Sequence, residues 1–352
     1  MTYTALTKCH PSEGGFALRQ KPEREPGPAE VLVEVSAGGI CGTDLEIWKW
    51  PDWLSGRMAG RLPLTVGHEF AGHVRQLGEG VSGFAVGDQV AVESHISCGL
   101  CRTCVGGRPQ ICESLSYVGI DIDGGLARYS VLPASVLRAL PPDFPPDSAA
   151  MLEPFALAVR AVLCDGGVTG RSVLVTGLGP LGLMTMAIAG ASGASSVVGV
   201  ESNPYRLRFA REYIERVEVG TVLDAADADI ASTSRTLTGG RGVDVWLDFS
   251  GADKALALGV EQLAVGGSAR LLGTSFGPVR FDLSVAVMKE LRFQTLHGRD
   301  DEVWPTAIAM AADRAVDIPA LVTHRLPLER YEEAFGLLLD GKACKVLMEI
   351  GG

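Results

Sequence analysis

The segment SVLVTGLGPLGLM, residues 172–184, constrains the fold more than any other stretch of the chain. An apolar run of strand composition ends at Thr176, and Gly177, Gly179 and Gly182 follow in the spacing G-x-G-x-x-G before a helix-like stretch. Glycines so placed permit a tight turn and close backbone approach to a pyrophosphate, which the helix N-terminus then stabilises. Pro180 and Leu181 lie in the same turn. The next apolar run, VVGVES, brings Glu201 about 20 residues on, where a carboxylate can bind ribose hydroxyls. Glu201 would repel a 2′-phosphate, which favours NAD over NADP. Arg206 complicates that choice, because it can stack on adenine or pair with phosphate.

The pattern continues beyond this turn. The runs SVVGVE, VEVGTVL, VDVWLDFSG, GSARLLG and LRFQTLHG alternate with helical segments such as NPYRLRFAREYIERV. Short apolar runs separated in this way predict an α/β domain, a parallel sheet with helices on both faces. The uncharged stretch 172–200 is broken by glycines and a proline, so it reads as buried soluble structure rather than a membrane span.

The first 150 residues differ. EVLVEVSAGG alternates with the period of a half-buried strand, and FAVGDQVAVES places Gly87 and Asp88 as a turn between strands. GGLARYSVLPASVLRAL adds further strand, so this domain is irregular and β-rich. Four prolines within residues 141–146 mark its end, and Asp147 or Ser148 is expected to cap the following helix. After Gly298 the reading returns to helix, then to a closing strand CKVLMEI, a tail expected to pack back on the first domain.

Two groups of side chains suggest metal chemistry. Cys98, Cys101, Cys104 and Cys112 can close a tetrahedral zinc shell with no open position, which makes such a site structural. The second group is dispersed: Cys41 in GICGTDLEIWKW, His68 and Glu69 in TVGHEFAG, and Glu153 in MLEPFA. Together they offer soft, borderline and hard ligands suited to zinc, with room for a water or alcohol. Singly each has a plainer reading, Cys41 as buried filler and His68 as a turn residue.

The formal charge of −11 argues against nucleic-acid and acidic-membrane partners, since nothing offers phosphates a basic stripe. The start MTYTALTKCHPSEGG lacks the pattern of a signal peptide, so a cytoplasmic location is expected. In that compartment the eight cysteines are not read as disulfides.

GHEFAGHVRQLGEGV, the four-cysteine lobe and the Gly177–Gly182 turn followed by Glu201 resemble the zinc-dependent medium-chain alcohol dehydrogenases over essentially the whole chain. Within them CGTDLEIWKWPDW, SHISCGLCRTCVGGRPQIC, VESNPYRLRFAR, HGRDDEVW and LVTHRLPLERYEEAF look most like the threonine dehydrogenases. The resemblance implies a GroES-like catalytic domain (residues 1–155, completed by 300–352) and a Rossmann NAD-binding domain (156–299). It implies two Zn²⁺ per chain, with Cys41 and His68 as catalytic ligands and Glu69 and Glu153 sharing the remaining coordination. It makes Thr43 the hydroxyl that receives the substrate proton and places His95 near the substrate, although a histidine there could equally be structural. Cofactor contacts are implied for Ser250, Gly273, His297, Gly298 and Arg299, and a homotetramer for the assembly.

One position departs from the pattern. Threonine dehydrogenases carry a histidine five residues after the ligand cysteine, at the outer end of a proton relay, and this chain has Glu46. A carboxylate can pass protons, but with an unperturbed pKa of about 4.3 it differs from imidazole. Glucose dehydrogenases of the same superfamily can have Glu there, which keeps a sugar, polyol or aminocyclitol substrate open; Glu46 as a solvated surface acid is the plainer reading. A catalytically silent NAD-binding protein is the alternative of another class.

Overall fold

The computed structural model describes residues 2–226, 230–275 and 277–350. They form two compact units: one runs to Pro154 and includes Asp300–Asp313 and the chain from Val322, the other comprises Phe155–Arg299 and Arg314–Leu321.

The first unit is β-rich. Its seven-stranded sheet has the strand Glu30–Gly39 near the centre, between Glu69–Leu77 on one side and Lys345–Glu349 on the other, both antiparallel to it. Register sets Gly39 opposite Glu69 and also opposite Leu347. The alternating valines of EVLVEVSAGG are buried, with Val31, Val33 and Val35 in one core cluster with Phe70, Val74, Val90 and Val346. A three-stranded sheet joins Phe16–Pro22, Thr2–Lys8 and Leu64–Thr65. His95–Ile96 pairs with Ser116–Tyr117.

The proline-rich boundary resolves differently from the capping expectation. Pro145 occupies the N-cap and Pro146 begins the helix Pro146–Ala150, so Asp147 and Ser148 lie inside it. Proline suits a first helical position because its missing N–H has no partner to lose. Asp147 instead forms an ion pair with Arg325.

The second unit contains a six-stranded parallel sheet in the order Thr221–Asp224, Ser196–Glu201, Ser172–Thr176, Val243–Asp248, Leu263–Leu271, Arg292–Thr295. This is the doubly wound order whose switch point lies between the strands ending at Thr176 and Asp248, where ligands bind beyond the carboxyl ends. Leu174, Val198, Trp246 and Ala269 pack in its core. Residues 314–321 belong to this unit, not to the tail's, because Ile318 and Leu321 are buried and Arg216 pairs with Asp317 at 2.6 Å. Among the described residues no helix is long and apolar enough to cross a membrane.

Candidate active site and metal centres

Cys41 leaves the strand Glu30–Gly39 and caps the helix Gly42–Lys49. Its backbone N–H donates to Asp44 Oδ2 at 2.9 Å, the three-residue reach of a capping box. Register then carries Glu69 alongside, with His68 just before it. Cys41 Sγ, a ring nitrogen of His68 and a carboxylate oxygen of Glu69 all lie within 4.8 Å of one another. Glu153, in the first turn of the helix Leu152–Leu163, is outside that trio. It accepts from Ser94 Oγ at 2.7 Å, and its charge still acts on His68.

Two residues that sequence reading missed hold the trio in place. Lys345, from the last strand, forms a buried ion pair with Glu69 and donates to Ile40 O at 3.1 Å. Gly39 makes room for that pair, since a Cβ there would meet Glu69 Oε2 at 2.6 Å and Lys345 Cε at 2.8 Å. Asp44 is fully buried, and its Oδ1 faces His68 Nδ1 across 3.8 Å, both atoms lacking a hydrogen-bond partner. Asp44 could have been found as the carboxylate that follows a cap by three residues. Nothing local marks Lys345.

The electrostatics follow from burial among anions. Burial pushes the Cys41 thiol up, as does Glu69, against smaller opposing effects of His68 and Lys345. Burial also pushes Asp44 up, partly offset by His68. Burial alone would lower His68, but Asp44 and Cys41 outweigh it and hold the imidazole well above its ordinary value. Glu69 is pushed up by burial and pulled further down by the Lys345 ammonium, so it stays ionised. The thiol of Cys41, the imidazole of His68 and the carboxylate of Glu69 are a donor set that fits a divalent cation once the first two give up their protons to it.

Thr43 lies in the first turn of the same helix, its Oγ1 4.0 Å from Cys41 Sγ. Glu46, one turn on, is engaged by Lys49 Nζ at 2.9 Å. His95 Nδ1 lies 2.9 Å from Glu93 Oε1, and its ring meets Tyr117 edge-on at 4.9 Å.

In the lobe, the sulfurs of Cys98, Cys101, Cys104 and Cys112 lie within 4.8 Å of one another, and no cysteine of the chain is in a disulfide. Backbone N–H groups of Leu100 and Cys101 aim at Cys98 Sγ, and those of Cys98 and Ser114 at Cys112 Sγ. The Thr103 hydroxyl and backbone amides bring the Cys101 thiol down to about 5, whereas burial and the neighbouring sulfurs push Cys104 up to about 12. Four sulfurs so close cannot all ionise without a cation between them, which is the chemistry of a closed zinc shell.

In the second unit the expected cofactor residues lie on or just beyond the carboxyl ends of neighbouring strands. Gly177 has φ +84°, and a Cβ there would press on Ser250 N at 2.9 Å; a Cβ on Gly182 would strike Gly177 O at 2.1 Å. A Cβ on Gly179 would meet nothing within 4 Å, which leaves that backbone open to a phosphate-bearing ligand at the start of the helix Pro180–Ala191. Glu201 is buried, accepting from Leu178 N, Ser202 N and Asn203 N at 2.8 Å each, with Arg206 Nε 3.8 Å away. Asp248, which sequence reading also missed, accepts from Thr176 Oγ1 and Ser250 Oγ at 2.7 Å and from Gly251 N at 2.9 Å. Gly273 N bonds the Asp248 carbonyl at 2.9 Å. Arg160 holds the His297 and Gly298 carbonyls at 2.9 and 2.7 Å, next to Arg299.

Residues 27–142 match the model of the alcohol dehydrogenase GroES-like domain, and residues 180–313 that of the zinc-binding dehydrogenases. L-Threonine 3-dehydrogenase of Pyrococcus horikoshii is 39% identical, covering 97% of each chain. The chain belongs to the zinc-dependent medium-chain alcohol dehydrogenases. L-Threonine 3-dehydrogenase of Deinococcus deserti, another relative, is 37% identical over 98% of each chain. A solved zinc-binding dehydrogenase from Sinorhizobium meliloti, bound to NADP, superposes with a TM-score of 0.89 at 27% identity over 99% of each chain. As a medium-chain dehydrogenase the protein is an enzyme acting on CH–OH groups, with the parallel sheet and GroES-like unit of that family.

Proposed function

We propose that this enzyme oxidises L-threonine at its secondary alcohol, with NAD as hydride acceptor and zinc at two sites. The convergence of Cys41, His68 and Glu69 within 4.8 Å carries the reading, together with relatives of that activity along nearly the whole chain. Cys41 and His68 hold the catalytic metal, Glu69 or Glu153 completes its protein ligands, and Cys98, Cys101, Cys104 and Cys112 enclose the structural one. Asp44 orients His68 by facing Nδ1, which directs the other ring nitrogen to the metal. When bound, zinc acidifies the alcohol and the nicotinamide takes its hydride. Thr43 Oγ1 receives the alcohol proton. The glycine turn seats the pyrophosphate, and Glu201 faces the adenosine ribose, where its charge disfavours a 2′-phosphate.

The assembly is proposed to be a homo-oligomer in the cytoplasm. All four residues of the edge strand Arg292–Thr295 are exposed. Nearby Leu283 is 65% exposed, Val287 67% and Met288 83%, and Phe281 stacks on Phe293 at 5.5 Å. A second copy would cover this apolar edge.

The test is NADH production across L-threonine, 2,3-butanediol, sorbitol, glucose and inosamines, with NADP as alternative acceptor. Threonine with NAD is expected to give the highest kcat/KM. Turnover of a polyol without turnover of threonine would overturn the substrate and favour the second reading, which Glu46 supports. One zinc per chain instead of two, with no turnover of any alcohol, would mark a silent dinucleotide-binding protein.

A further inference from the structure

Asp248 is fully buried at the end of the strand Val243–Asp248, and Thr176, its register partner, ends the strand Ser172–Thr176. These two strands meet at the switch point of the sheet, where its two mononucleotide-binding halves adjoin. One half carries the glycine turn and Glu201, the other Ser250 and Gly273. Two hydroxyls give their hydrogens to Asp248. Thr176 Oγ1 accepts from Trp246 Nε1 at 2.9 Å and donates to Asp248 Oδ1 at 2.7 Å. Ser250 Oγ accepts from Ala252 N at 3.2 Å and donates to the same oxygen at 2.7 Å. Backbone N–H groups complete the set, Ser250 at 3.2 Å on Oδ1 and Gly251 at 2.9 Å on Oδ2. Among the described residues every hydrogen-bond partner of this carboxylate is a neutral donor, and Thr176 is the one that comes from the other half.

We propose that Asp248 is a positioning residue that clasps the two halves at a fixed spacing, so that both ends of a dinucleotide are seated at once. The proposal rests on the reading of this crevice as the cofactor site and says what fixes its span. On one side the clasp reaches Thr176, directly before Gly177, where a Cβ would lie 2.9 Å from Ser250 N. On the other it holds Ser250 and Gly251, and a Cβ on Gly273 would strike Gly251 N at 2.1 Å and Asp248 Oδ2 at 2.7 Å. The carboxylate thus ties the turn that seats the pyrophosphate to the two loops of the second half. Adenosine monophosphate occupies the first half alone, so its binding does not draw on the clasp. A dinucleotide bridges both halves, and with the clasp loosened it must order those loops as it binds, at a cost in affinity. Asparagine cannot stand in for the carboxylate. Each oxygen receives a backbone N–H, so either orientation of the amide sets its NH2 group against one of them. Asp248 is itself fully buried and acts through Thr176, Ser250 and Gly251.

The test is equilibrium binding to the zinc-loaded full chain, with melting curves of each variant. NADH and NADPH are titrated by fluorescence, and AMP by competition with the tighter of the two. Asp248→Asn is expected to raise the dinucleotide Kd about tenfold, the loss of one charge-assisted hydrogen bond, while the AMP affinity stays nearly unchanged. Thr176→Val removes only the side-chain bond between the halves and its Trp246 donor, so it keeps the proposal testable if Asp248→Asn does not fold. It is expected to show the same split, and Thr176→Ser, which keeps the hydroxyl, to restore the wild-type dinucleotide affinity. Combining Thr176→Val with Asp248→Asn should cost little more than Asp248→Asn alone, because both break one tie. An equal loss for dinucleotide and AMP marks a general packing role and overturns the proposal, as does no loss for either. Failure of Thr176→Ser to restore affinity shows that the hydroxyl is not the tie and overturns it as well. If the wild type binds neither NADH nor NADPH, the reading of the crevice fails and the clasp with it. That failure shows before any substitution is made, so the two are told apart.

Discussion

Replacing Lys345 by Met removes the ammonium that neutralises Glu69 in the sheet interior, where both side chains are no more than 3% exposed. The Glu69 carboxylate then either stays charged without its partner or takes up a proton. Breaking a buried pair by removing one member costs roughly 3–5 kcal/mol. Protonating a glutamate of ordinary pKa, about 4.3, at pH 7 costs about 3.7 kcal/mol at 1.36 kcal/mol per unit. The two routes agree, and the proton route sets the ceiling. In the wild type Glu69 is held below its ordinary value, so the stability it contributes is present above the unfolded pKa and is lost only as pH falls through the lowered one. In Lys345→Met the sign reverses, because the folded state binds a proton that the unfolded state releases. The deficit should therefore shrink by about 1.4 kcal/mol per pH unit from pH 7 towards pH 5. Calorimetric melting of the two proteins, with zinc analysed in parallel, measures it. At pH 7 the transition of the β-rich unit should fall by roughly 7–15 °C. A deficit below about 1 kcal/mol, or one independent of pH between 5 and 7, would refute the argument that an unpaired buried charge controls this sheet.

Cys41→Ala should remove one zinc per chain and abolish turnover while NAD binding, measured by NADH fluorescence, survives; retained turnover contradicts the ligand assignment. Cys104→Ser, or treatment with a chelator strong enough to strip the lobe, should expose residues 98–112 to proteolysis, because this segment folds into only two short helical turns and holds few buried side chains. A lobe that stays protease-resistant without metal would show that it needs none. Glu46→Gln should leave stability within about 1 kcal/mol, since the Lys49 pair is half-exposed. It should lower kcat and alter its pH dependence if Glu46 carries protons outward; an unaltered profile identifies a surface acid.

What could be read in the sequence was what is encoded locally. The alternating valines of Glu30–Gly39, the run-and-helix alternation after Ser172 and the glycine turn each depend on a few adjacent residues, and each forms the element its pattern implies. The four-cysteine lobe was legible for the same reason, with all its sulfurs drawn from residues 98–112. The cap at the proline-rich boundary was misjudged because two prolines compete there, and Pro146 fits the first helical position better than Asp147 or Ser148 fits the cap. Lys345 gave no signal, because its partner Glu69 lies across the fold, and Asp248 gave none because it is fixed from the neighbouring strand by Thr176 as well as by Ser250 and Gly251 beside it. Lys345 and Glu69 are 276 residues apart in sequence.

That last separation bears on how the site is built. The strand Glu30–Gly39 delivers Cys41, its neighbour on one side delivers Glu69, and its neighbour on the other delivers Lys345. The cluster thus forms only when the closing strand has joined the sheet. Cys41, Asp44 and Glu69 are three potential anions facing one fixed ammonium, and the charge of Glu153 reaches His68 as well. Even with the His68 imidazole counted as a second cation, these four groups would leave an excess of negative charge in a buried space if all of them ionised. Thiol and carboxyl groups in that position either keep their protons or take a divalent cation. The raised Cys41 and Asp44 describe the first state, and the second is the one in which a thiolate can serve as a ligand. Metal uptake and thiol ionisation are therefore a single equilibrium here. Lys345 limits how much charge the metal must offset, which is why a lysine that offers the metal no ligand atom belongs to the chemistry of the site.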